Sequence, residues 1–303
     1  MHLRGRPLLA LLTMSLLWGY GWTAMKIGLI DAEPFKFTAL RMSLSALCLL
    51  AVLPLTGRPF WPTRVPELLR LAVVQTSLLF TLSTWAVAQG TPGRVAFLVY
   101  TMPFFTLLFA WPFLGERVRG LQWLAIALAG CGLVAIIQPW HMHGNGWANG
   151  LAIAAGIAWG AGAIMVKRLQ NRAPMDLISM TAWQMFFGSI PLVAFAYWFP
   201  EAPIVWSTRF IFMLFLISVV ITGIGWMLWV YALSNLEAGT ASMVTLAAPV
   251  VAIVTSSMHF GERPGPLELA GMCLIGIALL VLSVHAMRNA KNASRKLKPN
   301  DSP

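Results

Sequence analysis

The sequence predicts an all-α integral membrane protein of ten transmembrane helices, arranged as two inverted five-helix repeats. Three observations predict it. Residues are 58% hydrophobic and only 10% charged, the apolar residues fall in ten long blocks, and motifs of the first half recur in order in the second. A soluble domain carries about 25% charged residues, so this chain could not solvate its own surface in water. Its mean hydropathy of +0.75 agrees.

A helix needs about 20 mainly apolar residues to cross the roughly 30 Å hydrocarbon layer. Ten segments meet that test: Leu8–Ile30, Phe37–Leu53, Leu68–Ala88, Val95–Phe113, Leu121–Ile137, Asn149–Lys167, Ile178–Phe199, Phe210–Leu233, Ala238–Phe260 and Leu267–Ala286. The second and fifth are short. The connections are brief and rich in Gly, Pro and charge, which leaves little room for an extramembrane domain. Arg4 and Arg6 before an apolar run resemble a signal peptide, but no small-residue cleavage site follows and nine more spans do. The first segment therefore reads as a retained helix. The tail, residues 288–303, is basic and polar and is expected to be disordered and to touch anionic lipid.

The net charge of +11 would suggest nucleic acid in a soluble protein. Here Lys and Arg lie between the apolar blocks. With the N-terminus inside, 15 basic residues fall on the inner side and 6 on the outer side. The six are Lys26, Lys36, Arg41, Arg94, Arg209 and Arg263. That split fits the positive-inside rule with both termini cytoplasmic in a bacterial inner membrane, and it excludes nucleic acid as the use of the charge. Cys48, Cys131 and Cys273 all lie within apolar runs, which argues against a disulfide framework. His141 and His143 form an H-x-H in a loop with no third ligand evident. No metal or cofactor is expected.

Trp18-Gly19-Tyr20-Gly21 recurs as Trp159-Gly160-Ala161-Gly162, with Lys26 and Lys167 in register at the same offset of 141. Pro103 with Gly115-Glu116-Arg117 recurs 146 residues on as Pro249 with Gly261-Glu262-Arg263. Trp85-Ala86 and Tyr231-Ala232, and Gly93 and Gly239, share that second offset. The halves are residues 1–143 and 144–287. Each holds five helices, an odd number, so the second half must insert upside down. An inverted repeat is a transporter signature, because two pseudo-equivalent states can then open to opposite sides.

On these residues the chain resembles the EamA family of the drug/metabolite transporter superfamily over roughly Leu8 to Ala286. The family's W-G in the first helix, its Lys at that helix's end, an Arg in the second helix and the P…G-E-R of the fourth are matched by Trp18-Gly19, Lys26, Arg41 and Pro103…Gly115-Glu116-Arg117. Within the family it looks most like the bacterial aromatic amino acid exporters. The resemblance implies ten helices, cytoplasmic termini and a central cavity lined mainly by helices 1, 3, 4, 6, 8 and 9. Gln184 stands near where the counterpart of Arg41 should be.

The middle of each span identifies candidate cavity residues: Trp18, Tyr20, Tyr100, Thr101, Trp159, Trp226 and Thr245. For the tryptophans two accounts stand side by side, a cavity wall and ordinary packing or lipid contact. Pro103 and Pro249 read either as gating hinges or as packing kinks, and their equivalent positions in inverted halves favour hinges. The glycines beside Trp18 and Trp159 favour close helix packing over ligand contact. Lys26 and Arg41 are cations near outer helix ends. Snorkelling to the interface explains both, and attraction of a carboxylate-bearing solute or a gate is the functional alternative. Every acidic residue lies at a helix end or in a loop, so no carboxylate is available mid-membrane for a proton relay or a cationic drug.

The leading reading is a secondary transporter, not an enzyme, that exports amino acids or similar small metabolites as a monomer in the bilayer. A nucleotide-sugar, sugar-phosphate or drug carrier of the same superfamily is the alternative, although a phosphate would want more mid-span Lys or Arg. A channel or scramblase is compatible with the inverted repeat. No H-E-x-x-H, paired mid-span Asp or intrahelical Ser–His pair supports an intramembrane enzyme.

Overall fold

The computed structural model describes residues 5–118, 120–138, 146–235 and 247–296, and these are helical without strands. In chain order the helices are α1 (Gly5–Gly28), α2 (Pro34–Leu55), α3 (Val65–Gln89), α4 (Pro92–Leu114) and α5 (Leu121–Ile137). They continue as α6 (Gly146–Arg172), α7 (Leu177–Trp198), α8 (Thr208–Phe215 running on to Gly225–Asn235), α9 (Ala247–Phe260) and α10 (Pro266–Lys296). Among the described residues eight helices are long and apolar enough to cross a bilayer. The described part of α9 and the whole of α5 are shorter apolar helices of 14 and 17 residues.

Two expectations change. The second helix, read as short, has 22 residues because Pro34 and Leu55 extend it at both ends. The basic stretch from Arg288, expected to be disordered, continues α10 as helix through Lys296. Thr245, Gly239, His141 and His143 lie outside the described residues.

Local chemistry sets the helix ends. Pro34 and Pro92 open α2 and α4, where a missing N–H costs nothing. Asp176 caps α7 by accepting from the amides of Ile178 and Ser179, and Ser207 caps α8 by accepting from Phe210. The glycine of each G-E-R motif ends its helix in the left-handed region, with φ of 72° at Gly115 and 66° at Gly261. That conformation penalises a Cβ, so the motif's glycine is a helix stop.

Three helices are irregular inside the bundle. α4 is interrupted at Tyr100–Thr101, and its second part starts at Met102 with Pro103 in the first turn. α3 and α8 each contain a π-helical stretch, Val73–Leu78 and Leu216–Ile224. Such stretches re-aim side chains and cluster at functional sites. Away from their ends the long helices expose many large apolar side chains, including Leu9, Leu16, Leu47 and Ile190, the reverse of a soluble surface.

α1 packs on α8 and α9, α6 on α3 and α4, α2 on α7, α5 on α10 and α4 on α9. Exchanging each helix for the one five places away converts this set into itself. A Cβ at Gly19 would stand 2.5 Å from Val251 Cβ, and one at Gly160 would stand 3.0 Å from Phe105 Cβ. The two W-G glycines thus mark the close crossings α1–α9 and α6–α4. Helices in lipid gain little from burying apolar surface, so close backbone approach at small residues is how they bind.

Candidate solute site

A cavity of about 810 Å³, open space at its mouth included, lies between α1, α2, α3, α4, α6, α7 and α8. Its wall is largely aromatic. Trp18 stands 5.6 Å from Trp226 by ring centroids, Tyr100 lies 5.7 Å from Trp159, and Trp22 lies 6.4 Å from Tyr100. Tilted and edge-on contacts of this kind hold rings firmly and present flat apolar faces. The π-helical stretches supply Gln75 from α3 and Ile217, Ile221 and Thr222 from α8.

Polar groups are few. Arg41 in α2 is 5% exposed, and its guanidinium carbon lies 5.1 Å above the Phe80 ring. Its Nε and Nη1 find no hydrogen-bond partner among the described residues. Gln75 is buried too, with Oε1 unpartnered. Gln184 in α7 donates to Thr76 Oγ1 at 3.3 Å. Among the described residues no Asp or Glu lines the cavity.

Of the residues singled out from sequence, the structure brings Trp18, Tyr100, Trp159, Trp226 and Arg41 into this one wall. Tyr20 points elsewhere, its ring 5.8 Å from that of His259 between α1 and α9. Thr101 is buried, and its hydroxyl donates to the Leu98 carbonyl at 2.5 Å at the break in α4. Its hydroxyl is bonded at the end of the first part of α4, and Thr101 is not among the cavity's lining residues. Arg41 is not a snorkelling residue: it is the eighth residue of α2 and faces inward. Sequence reasoning missed Gln75 and the contributions of α2 and α7. The signal was present as Gln-Thr-Ser, residues 75–77, inside an apolar span. α9, implied by resemblance, contributes none of the lining among its described residues.

Lys26 has a structural task. Its Nζ donates to the carbonyls of Val87, Ala88 and Gly90 at 2.8, 3.1 and 2.9 Å, capping the C-terminus of α3. Its counterpart Lys167 instead pairs with Glu116 at 2.6 Å in an exposed ion pair. Beside Lys26, Glu262 accepts from the Ser256 hydroxyl in a polar pocket with Arg94 and Glu268. Burial pushes the Glu262 carboxyl above its ordinary value, against the opposing effects of Ser256 and Lys26.

The same end of the bundle is laced together by its loops. Asp31 accepts from Arg209 Nε and Nη2 at 2.9 and 2.8 Å and from Ser207 Oγ at 2.9 Å. The bonded Arg209 guanidinium holds the Asp31 carboxyl below the usual carboxylate range. Glu201 accepts from the amides of Phe35 and Lys36, both at 2.8 Å, and so caps α2 from a distant loop. At the opposite end Arg58 pairs with Asp176, and Arg64, Arg70, Arg168 and Arg172 line a basic groove.

Comparison with known proteins agrees with this architecture. The chain is 28% identical over 299 residues to the "Uncharacterized transporter YvbV" of Bacillus subtilis, covering 96% of this chain and 94% of the relative. It is 27% identical to the "Probable amino-acid metabolite efflux pump" of Salmonella typhimurium, covering 94% of this chain and 96% of the relative. A solved crystal structure superposes with a TM-score of 0.64 at 16% identity, covering 93% of this chain and 98% of the other, and so shares the fold. The sequence matches the EamA-like transporter family twice, over residues 5–138 and 146–284. The chain therefore belongs to the EamA-like transporter family.

Proposed function

We propose that the protein exports amino acids or similar small metabolites across the inner membrane by alternating access, with ten spanning helices in two inverted halves. One observation carries the reading. The cavity is walled by aromatic rings from both halves, Trp18 and Tyr100 against Trp159 and Trp226, with no lining carboxylate among the described residues. Flat apolar faces suit a small apolar or aromatic solute. Rings alone hold a cation by roughly 0.5–2 kcal/mol each, too little to offset dehydrating a full charge.

The exchange symmetry of the helix contacts supports the inverted halves. The crossings α1–α9 and α4–α6 are equivalent under it, so breaking one while keeping the other would open the cavity to one side at a time. The break in α4 before Pro103 offers a hinge point, and Pro249 stands at the place in the second half that matches Pro103 in sequence. The charge split and the basic groove at the Glu116 end support a cytoplasmic position for that end. The relatives named as an amino-acid metabolite efflux pump and as an inner membrane transporter support the solute class and the membrane. The experiment is competition: flux of labelled phenylalanine into proteoliposomes against excess phenylalanine, threonine, a nucleotide sugar and a quaternary ammonium dye. Inhibition by the amino acids is expected, and inhibition by the dye alone contradicts the reading.

A further inference from the structure

Arg41 is the one cavity-lining residue among those described that carries a permanent charge. It is 5% exposed, and neither Nε nor Nη1 has a partner. A buried charge is normally paired, because desolvation is costly and only an opposite charge or a full set of hydrogen bonds offsets it. No lining Asp or Glu among the described residues offers that pairing. The Phe80 ring, at 5.1 Å from the guanidinium carbon, fixes the side chain by stacking and leaves the edge of the fork free. Nε and Nη1 flank Nη2, and each shares with it an edge that can meet a carboxylate with two parallel hydrogen bonds. Near the corresponding place in the other half stands a neutral residue, Gln184, whose amide is turned to Thr76. The positive charge therefore belongs to one side of the cavity only.

We propose that Arg41 is the carboxylate receptor of the cavity and that the transported solute is a monoanionic carboxylate or a zwitterion with an apolar body. The carboxylate sits on the Arg41 fork, on Nη2 together with Nε or Nη1, and the body lies against Trp18, Trp159 and Trp226. Gln75 Oε1, the other unpartnered polar atom of the lining, accepts from the ammonium of a zwitterion. A phosphate dianion is disfavoured, since no Lys or second Arg among the described lining residues would balance its second charge. The inference rests on the reading of the protein as a carrier, and equilibrium binding tests it without transport.

The full-length protein in nanodiscs is titrated calorimetrically with L-phenylalanine, 3-phenylpropionate, phenethylamine and phenyl phosphate. The wild type is expected to bind the first two at least about tenfold more tightly than the last two, about 1.4 kcal/mol. Arg41→Gln should lose at least about tenfold for both carboxylates and leave phenethylamine unchanged, with Arg41→Lys in between. Gln75→Leu should weaken phenylalanine and spare 3-phenylpropionate. Because Arg41→Gln removes an unpaired buried charge, the empty variant should melt at or above the wild-type temperature. Carboxylate affinities in Arg41→Gln and Arg41→Lys within about threefold of wild type would overturn the proposal, as would a wild type that binds neither carboxylate. Phenylalanine flux that survives in Arg41→Gln sinks this inference alone, whereas Arg41-dependent binding without flux sinks the carrier reading alone.

Discussion

Gly19→Ala is the sharpest probe of the crossing between α1 and α9. An added Cβ would stand 2.5 Å from Val251 Cβ, 2.8 Å from Val251 Cγ1 and 2.6 Å from the Ala248 carbonyl oxygen. Carbon atoms in ordinary contact are about 3.5–4.0 Å apart, so the helices must separate by about 1 Å. A backbone oxygen and a β-branched side chain have no flexible end that could yield. Overpacking of this kind costs about 1–3 kcal/mol, a factor of about 5–150 between the states with the crossing made and broken. Gly160→Ala is gentler, since its Cβ would meet Phe105 Cβ at 3.0 Å and Thr106 N at 3.1 Å. Gly150 and Gly276 are the controls, because a Cβ at either meets nothing within 4 Å. There alanine should be neutral or stabilise by up to about 1 kcal/mol through helix propensity. Turnover in proteoliposomes and melting in detergent are measured for all four variants. The expected order of loss is Gly19→Ala, then Gly160→Ala, with the controls at wild-type level. If Gly19→Ala turns over and melts like Gly150→Ala, the crossing is not the tight contact described.

Other outcomes follow from the same geometry. Pro103→Ala and Pro249→Ala should slow turnover while the protein still inserts and folds, and Pro103 sits in a first turn where its missing N–H costs nothing; near-normal flux in both would reduce them to packing. Lys26→Met should lose about 2 kcal/mol or more in denaturant melts, because three carbonyls lose a charged donor. Lys167→Met, which breaks an exposed pair, should lose under about 1 kcal/mol. Asp31 has a depressed carboxyl in the folded state, so its stabilising contribution is present above about pH 4 and lost as pH falls through the folded value. The melting gap between wild type and Asp31→Asn should therefore close on acidification, and a gap that widens would contradict the role of Arg209.

Much of the fold was legible because lipid imposes a coarse rule: long apolar runs must become spans. Leu121–Ile137 coincides with its helix, and the other observed ends differ from the expected ones mostly because prolines and polar caps lie just beyond the apolar run. The cavity was legible only in part. Trp18, Tyr100, Trp159 and Trp226 stood out as mid-span aromatics, but depth in a membrane does not specify facing. Tyr20 is two residues from Trp18, about 200° around an α-helix, and it meets His259 instead. Arg41 looked like an end residue because a cation near a helix terminus usually snorkels. Only its place over Phe80 in the cavity wall reveals that it points inward. The π-helical stretches Val73–Leu78 and Leu216–Ile224 left no proline or glycine signature at their starts, and with them Gln75 was missed.

Counterflow tests the central claim most directly. Proteoliposomes are loaded with unlabelled phenylalanine, diluted, and given a trace of labelled phenylalanine outside, with no ion gradient. A carrier whose single cavity alternates between sides exchanges inner for outer solute, so the label should transiently accumulate above its equilibrium level and then decline. Trp159→Ala, which removes one face of the aromatic wall, should weaken that overshoot. Label that only rises smoothly to equilibrium, whatever the vesicles contain, would mean a passive pore and would contradict alternating access through this cavity.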